Sequence, residues 1–196
     1  MKISKHEQGT QEWLDERCGI PTSSNFSQII TTKGIRAASR NKYLYKTAGE
    51  LILEHAEPTY QNAAMLRGTE LEPEARNAYE LITGNDVVKV GLCIEKGSGA
   101  SPDGLVGDSG LLEIKCPMIA THIGYLLQNK APTDYFQQMQ GQLLITGREW
   151  VDFVSYYPGL KTLIVRVERN EEFIKKLQEE LKTFNKDLKE IVKTIK

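Results

Sequence analysis

Two acidic residues and a lysine lie close together near the middle of the chain: Asp103, Glu113 and Lys115. Glu113 and Lys115 would share one face of an extended strand, because successive strand side chains point to opposite faces. Neighbouring carboxylates repel each other unless a cation lies between them, and hard oxygen ligands suit magnesium or manganese rather than zinc. Such an ion polarises a phosphate and activates water, and a second ion ~3.5–4 Å away would stabilise the leaving oxygen of a phosphodiester. The alternative is an ordinary hairpin whose surface charges alternate.

The residues between the two acids predict a β-hairpin with a glycine-rich turn. A two-residue loop would put the two acids on opposite faces of the hairpin. A three-residue loop at 108–110, with Gly110 in the left-handed region, places Asp103 opposite Lys115. We therefore expect the three-residue loop, which brings Asp103, Glu113 and Lys115 to one face.

The composition indicates a globular chain with a sizeable core. The chain has 196 residues, of which 40% are hydrophobic, and this length is within the range of a single domain. We expect one domain over residues 1–196, with a long C-terminal helix over about 170–196. The cysteines, Cys18, Cys93 and Cys116, form no CxxC pair, which argues against a zinc ribbon or an iron–sulfur cluster and fits a reducing cytoplasm. No apolar stretch approaches the length of a membrane span.

A basic region follows the N-terminal segment. The net charge of −1 does not indicate a nucleic-acid-binding protein by itself, but the stretch from Arg17 to Gly49 holds six basic residues and no acid. We expect a helix from about Ile35 to His55 that exposes Arg36, Arg40 and Lys46 and attracts phosphates. The alternative is a solvated helix face that is balanced by acids elsewhere in the fold.

The remaining patterns predict a sheet of four to five strands flanked by helices, with the direction of its edge strands open. Helix starts are indicated by a Thr10 cap before Trp13, by hydroxyl caps at 22–24, by Pro73 directly after Glu72 and by an Asn170 cap. The helix that starts at Pro73 should end at Gly84, and a further helix is expected from 132–133 to Thr146. Strands are expected at Val87–Ile94, Trp150–Tyr157 and Thr162–Val167. Glu72 either forms a capping box with Thr69 or faces the metal site.

Six segments with these residues occur in one order along the chain. They are Gln8–Trp13, Arg17–Ser24, Gly68 with Glu72, Ser101–Leu105, Leu112–Pro117 and Tyr135–Gln140. Together they resemble the lambda exonuclease (YqaJ viral recombinase) family of the PD-(D/E)XK nuclease superfamily, over roughly residues 8 to 160. The ordered set is specific where each motif alone is not, so it disfavours the ordinary hairpin.

The resemblance implies a fold and an activity. The fold would be an α/β restriction-endonuclease-like core, with a central mixed β-sheet flanked by α-helices. The activity would be Mg²⁺-dependent degradation of one strand of linear double-stranded DNA, 5′ to 3′, with two ions in the site and Mn²⁺ as a possible substitute for Mg²⁺. Mononucleotides would be released, and a 3′ overhang would remain for recombination by strand annealing. The resemblance further implies a ring-shaped homotrimer, a single-strand annealing protein as partner, and a phage or prophage origin.

The resemblance also assigns roles at the metal site. By their positions in the motifs, Asp103 and Glu113 match the metal-binding acids, and the main-chain carbonyl of Ile114 matches a third ligand. Lys115 matches the lysine that positions the attacking water. Glu72 matches a helical acid at the same site, which favours the second of its two interpretations.

Four further positions match groups around the metal site. Gln138, one of four glutamines on a single expected helix, matches the glutamine beside the water. Arg17, Ser24 and Ser101 match the pocket for the 5′-phosphate, so Ser24 becomes more than a helix cap.

Two other functions stay open at this point. One is a structure- or sequence-specific DNA endonuclease on the same core. The other is a non-catalytic DNA-binding or assembly module, against which the costly grouping of two acids and a lysine argues. In an exonuclease and in an endonuclease alike, the DNA-binding residues would be Arg36, Arg40 and Lys46.

Overall fold

The computed structural model describes residues 1–56 and 62–196. Its strands are β1 Lys2–Ile3, β2 Val87–Val88, β3 Cys93–Glu95, β4 Ser98–Ala100, β5 Gly104–Val106, β6 Gly110–Lys115, β7 Trp150–Ser155 and β8 Leu163–Glu168. Its α-helices are α1 Gln11–Arg17, α2 Arg40–Leu53, α3 Ala63–Thr83, α4 Ile119–Gln128, α5 Phe136–Thr146 and α6 Glu171–Ile195. Two 3₁₀ helices cover Ser23–Gln28 and Thr133–Tyr135.

A five-stranded mixed sheet in the order β2-β5-β6-β7-β8 forms the centre of the fold. Strands β6 and β7 are parallel, and the other neighbouring pairs are antiparallel. The connection between the two parallel strands contains both α4 and α5. A second, three-stranded sheet has the order β1-β3-β4. The expected fold class, a mixed sheet flanked by helices, is therefore confirmed.

Alternate residues of β6 pack on opposite sides of the sheet. Leu112 and Ile114 belong to a core cluster with Tyr79 of α3, whereas Leu111 packs with Met139 of α5. Since Glu113 and Lys115 share the parity of Leu111, they also point towards α5. The pattern of the central strand thus decides which helix faces the charged residues.

The hairpin has the expected loop length but a different register. The paired residues are Gly104 with Leu112 and Val106 with Gly110, so the loop is 107–109. The left-handed residue is Gly107, with φ of 51°, and not Gly110. The pairing of Asp103 with Lys115 is therefore wrong by two residues, which leaves every side chain on its expected face.

Several local features of the sequence are borne out. The Thr10 side chain accepts a hydrogen bond from the Trp13 amide, and the Asn170 side chain caps α6 in the same way. Gly147 ends α5 with φ of 71°. The buried face of α6, including Leu177 and Phe184, packs on α2 and the first 3₁₀ helix, so the long C-terminal helix docks on the body of the protein as expected.

Four expected boundaries are wrong. The strand at Val87–Ile94 is two short strands, β2 and β3, that belong to different sheets. Helix α3 begins at Ala63, so Pro73 lies inside it and the expected start after Glu72 is incorrect, as is the capping box with Thr69. The helix after 22–24 is a six-residue 3₁₀ helix without a side-chain cap. Helix α2 begins at Arg40 rather than near residue 35. None of the helices in the described residues is long and apolar enough to cross a membrane.

Candidate active site

Glu113 lies at the centre of the candidate site and is almost completely buried, with 1% of its surface exposed. Gln138 donates a hydrogen bond to its Oε1 at 2.7 Å, and Gln142 donates to its Oε2 at 2.5 Å. The Lys115 ammonium also contacts Oε1. The two glutamines reach one carboxylate because residues four apart lie on the same face of a helix. The carboxylate is thereby fixed in orientation by α5.

Asp103 immediately precedes β5 and faces the same site. Its Oδ2 accepts a hydrogen bond from the Ile114 amide at 2.6 Å. Burial raises the pKa of Asp103 well above its usual range, and the nearby charge of Glu113 raises it further, while Lys115 acts in the opposite direction. Two carboxylates in this position therefore attract a cation.

Lys115 contributes a positive charge beside both acids. Burial lowers its pKa, but the negative charges of Glu113 and Asp103 outweigh burial, so that the pKa of Lys115 is raised above its ordinary value. Its ammonium lies 5.1 Å from the centre of the Tyr135 ring. Lys115 is therefore a protonated hydrogen-bond donor at neutral pH.

Glu72 reaches the site from the middle of α3. Its Oε1 accepts a hydrogen bond from Arg76 at 2.5 Å, and the same nitrogen of Arg76 donates to the main-chain oxygen of Asp103 at 3.1 Å. The charge of Glu72 also contributes to the raised pKa of Asp103, after burial and the larger effect of Glu113. Glu72 therefore belongs to the charged group, and Arg76 connects it to Asp103.

The donors present fit a hard divalent cation. In the described part of the chain, no group of three or more His, Cys, Asp or Glu residues is arranged to hold a metal. The site instead offers the carboxylates of Asp103 and Glu113 together with the main chain at Ile114. A small set of oxygen ligands suits magnesium, which retains several of its waters. Such an ion would neutralise the negative charge of Glu113, which raises the pKa of Asp103 further after the larger effect of burial.

A second polar group surrounds the guanidinium of Arg17. The Arg17 guanidinium lies 4.0 Å from the centre of the Trp13 ring. It donates hydrogen bonds to the hydroxyls of Thr22 and Ser24, at 3.4 Å each. The Trp13 indole in turn donates to Ser101 at 3.2 Å. The structure therefore brings Arg17, Ser24 and Ser101 into one cluster, with Trp13 between the arginine and the second serine.

The charge of Arg17 is not neutralised by a carboxylate among the described residues. Burial lowers its pKa, and electrostatic interactions with Tyr43 and Glu50 only partly oppose this. An arginine that is partly desolvated and surrounded by hydroxyls can bind an anion. Close packing brings this cluster towards α5: a side chain at Gly141 would overlap the ring of Phe26, which lies in the 3₁₀ helix with Ser24.

The three basic residues expected on an exposed helix face have other contacts. Arg40 is buried, with 3% exposure, because it pairs with Glu180 at 2.6 Å and with Asp187 at 2.7 Å. Its expected exposure is wrong, since the acids of α6 balance its charge. Arg36 is exposed but also pairs with Glu180, and Lys46 is exposed and lies 3.7 Å from its helix neighbour Glu50.

Sequence reasoning missed several contributors to the site. Gln142 was not separated from the other glutamines of α5, although its spacing of four residues from Gln138 indicates a common face. Arg76 lies four residues after Glu72, which is the spacing of a helical ion pair. Trp13 stacks on Arg17, and its position one helical turn before the arginine could have indicated this contact.

The fold is a mixed sheet flanked by helices, with two acids and a lysine at one site. Comparison with known proteins specifies the family. The sequence model of the YqaJ-like viral recombinase domain matches residues 12–149. The chain belongs to this family. A search of curated protein sequences gave no significant match.

Solved structures agree with this assignment. The chain is similar to an alkaline exonuclease, LHK-Exo, from Laribacter hongkongensis, with 40% sequence identity, a TM-score of 0.86 and coverage of 95% of this chain and 96% of that one. A structure of LHK-Exo in complex with dAMP has the same identity and coverage. A phage-related exonuclease from Haemophilus somnus 129PT has 15% identity and a TM-score of 0.71, over 93% of this chain and 100% of that one, and supports the fold.

Proposed function

We propose that this protein is a DNA exonuclease that requires Mg²⁺ and degrades one strand of linear duplex DNA from its 5′ end. The observation that carries the proposal is the convergence of Asp103, Glu113 and Lys115 beneath the glutamines of α5. Membership in the viral recombinase family and the 40% identity to an alkaline exonuclease support the same activity.

The residues of the site have distinct proposed roles. Lys115 holds the attacking water and offsets the charge that develops on the phosphate, because its ammonium stays protonated. Gln138 lies beside Lys115, since both contact the same oxygen of Glu113, and it orients that water. Gln142 and Arg76 act through their neighbours: the first fixes Glu113, and the second ties Glu72 to Asp103.

Asp103, Glu113 and the Ile114 carbonyl would hold the metal, and Glu72 would complete the acidic site. When bound, Mg²⁺, for which Mn²⁺ would substitute, would supply Lewis-acid polarisation of the phosphate and a water of lowered pKa, with two ions as the proposed stoichiometry. The protein contributes a fixed Glu113 carboxylate, which does not have to reorganise when the substrate arrives.

Arg17, Ser24 and Ser101 provide the basis for the proposed 5′ polarity. A terminal phosphate carries more negative charge than an internal one, and a guanidinium can bind it through two parallel hydrogen bonds. With the terminal phosphate in this cluster, the next phosphodiester of the same strand would lie at the acids, so one mononucleotide would be released for each step. The remaining strand would become a 3′ overhang for strand annealing.

Other parts of the proposal concern substrates and partners outside the site. The exposed residues Arg36 and Lys46 would contact the DNA backbone, whereas the buried Arg40 would not. We also propose a ring-shaped homotrimer and a single-strand annealing protein as partner, and their support is family membership alone.

A single digestion experiment tests the proposed activity. Linear duplex DNA is labelled at one 3′ end and prepared with or without a 5′-phosphate on the same strand. Each substrate is incubated with the protein in Mg²⁺ and, as a parallel control, in EDTA. We expect progressively shorter labelled fragments in Mg²⁺ only, because the label stays at the 3′ end while unlabelled mononucleotides leave the 5′ end. Shortening should be faster when that 5′ end carries a phosphate. Closed circular plasmid should remain intact, and its cleavage would indicate an endonuclease instead.

A further inference from the structure

A large groove lies apart from the acidic site, between α6 and the turn that joins β3 to β4. It has a volume of about 1110 Å³, and the end of α5, including Leu144 and Thr146, also lines it. Asn185 of α6 spans the walls by hydrogen bonds to the Lys96 carbonyl and the Ser98 hydroxyl, at 3.2 Å each. The groove is therefore a formed feature of the surface with one apolar side.

The groove is strongly basic. Two glutamates, Glu95 and Glu179, also line it. Its lysines are Lys96, Lys175, Lys182, Lys186 and Lys189. The four on α6 are separated by seven, four and three residues, so they follow one face of the helix over ~21 Å. Within the described residues only Lys186 of these lysines forms an ion pair, with Glu190 at 3.8 Å. The other four charges are available to a polyanion.

Lys96 provides a second, independent sign that the groove binds a ligand. It occupies the left-handed region, with φ of 51°, and is followed by Gly97 in a two-residue turn between Glu95 and Ser98. This turn type favours Asn-Gly, and a residue with a long side chain is disfavoured at its first position. A backbone conformation that works against the residue present indicates that its side chain is needed at the rim of the groove.

Two elements connect the groove with the site described above. Helix α5 carries Gln138 towards the acids and reaches the groove at Thr146, ~12 Å further along the helix. Strand β4 begins with Ser98 at the groove and ends one residue before Ser101, ~10 Å away. A strand that enters or leaves the acidic site is therefore within reach of the lysines.

We propose that this lysine groove binds the phosphate backbone of single-stranded DNA, as a track for the strand that is not degraded. Its volume is close to that of pockets for drug-sized molecules, roughly 300–1,000 Å³, so it fits a few nucleotides of one strand and not a duplex. Among the described residues, no aromatic side chain lines it, which predicts binding through phosphates with little base preference. The assignment of this strand as the undegraded one depends on the proposed exonuclease activity, whereas the binding does not.

Equilibrium binding in EDTA tests the groove without hydrolysis. A fluorescein-labelled oligothymidylate is titrated with the wild-type protein and with the double variant Lys182→Gln/Lys189→Gln. We expect about tenfold weaker binding by the variant and a salt dependence that is lower by about 1.4 in logarithmic slope, or ~0.7 for each phosphate contact on a single strand. The matched control Lys161→Gln/Lys176→Gln removes two exposed lysines outside the groove and should bind as the wild type does.

Three results would overturn the proposal. One is an equal loss of affinity in the control, and another is an unchanged affinity in the groove variant. The third is a loss that appears only for a duplex of the same length or for poly-L-glutamate, because the ligand would then be a double strand or an acidic protein. If the groove variant binds weakly but the wild type shows no hydrolysis in Mg²⁺, the groove stands and the exonuclease proposal fails.

The variant Lys96→Asn separates binding from folding. Asparagine suits the left-handed position, so we expect an unchanged or higher melting temperature together with several-fold weaker binding of the oligothymidylate. A variant that melts lower, or that binds as tightly as the wild type, would contradict a ligand-binding role for Lys96.

Discussion

Two groups of charged side chains in this protein are similar in size and opposite in balance. The α2–α6 ion cluster consists of Arg36, Arg40, Glu180 and Asp187, in which two bases meet two acids. The site around Glu113 contains three acids, and within residues 1–56 and 62–196 only Lys115 and Arg76 pair with them.

The difference separates a structural cluster from a candidate functional one. In the α2–α6 ion cluster every charge has a partner in the fold, so the cluster joins α6 to α2 and to the segment before it. At the acidic site, burial raises the pKa of Asp103, and the nearby charge of Glu113 raises it further. The repulsion between the carboxylates costs free energy in the protein alone, and a bound cation removes this cost. Variants of the two clusters should therefore affect different measurements, and the predictions below run from the largest effect on hydrolysis to the smallest.

Lys115→Ala should have the largest effect. We expect hydrolysis to fall by ~10²–10⁴-fold, the range for a positioned group that acts on the attacking water, while binding of duplex DNA in EDTA is retained. Initial rates on 5′-phosphorylated duplex and a gel-shift titration measure the two effects. Lys130→Ala, at an exposed lysine, is the control. Full activity of the first variant would remove Lys115 from the mechanism.

Arg17→Ala should abolish the discrimination between two kinds of DNA end. A hydrogen bond to a charged group contributes ~1.5–3 kcal/mol, so the preference for a 5′-phosphorylated end should fall by ~10–150-fold. Competition between phosphorylated and unphosphorylated duplexes measures the ratio. Lys33→Ala removes a nearby exposed charge and should keep the preference. A wild-type protein that shows no preference would refute the phosphate pocket.

Gln142→Met tests whether the orientation of Glu113 matters. The residue that holds a ligand in place typically affects metal affinity or rate by ~10–100-fold, and we expect a loss in this range because Glu113 loses the donor to its Oε2. The concentration of Mg²⁺ that gives half-maximal rate should rise as well. Gln128→Met, at the exposed end of α4, provides the control. A lower melting temperature with unchanged metal dependence would make Gln142 purely structural.

Arg40→Met should change stability and leave the rate of folded molecules unaltered. Removal of Arg40 from the cluster leaves Asp187 without this ion pair and leaves Glu180 paired with Arg36, and we expect a loss of about 3 kcal/mol in the free energy of unfolding. Urea denaturation measures this loss. Arg36→Met is the matched control, because its exposed ion pair should contribute less than ~1 kcal/mol. Equal effects of the two variants would show that burial of Arg40 is unimportant.

Local signals in the sequence predicted local structure well. Asn170 begins α6 because its side chain accepts a hydrogen bond from the helix, and Gly147 ends α5 because it adopts the left-handed conformation. The common face of Asp103, Glu113 and Lys115 also followed from the sequence, because strand parity survives a register error of two residues. The exact register did not follow, since three-residue loops at 107–109 and 108–110 satisfy the same parity.

Contacts between distant segments could not be predicted. Arg40 is buried only because α6, 140 residues later in the chain, supplies Glu180. Pro73 signals a helix start, yet α3 continues through it, so packing of Ala75 and Tyr79 against the sheet outweighs the missing hydrogen bond. No pattern indicated α4, because its buried residue is His122 while Leu127 is 83% exposed.

The parallel pairing of β6 with β7 has a consequence for the order in which the protein becomes active during synthesis. The acids and Lys115 leave the ribosome first, the glutamines of α5 follow, and β7 emerges only after them. Until β7 has emerged, β6 lacks a neighbour on one side and cannot hold Glu113 rigidly under α5. We therefore expect a nascent chain that ends before residue 150 to be inert towards DNA, even though it already contains every residue assigned to the chemical step.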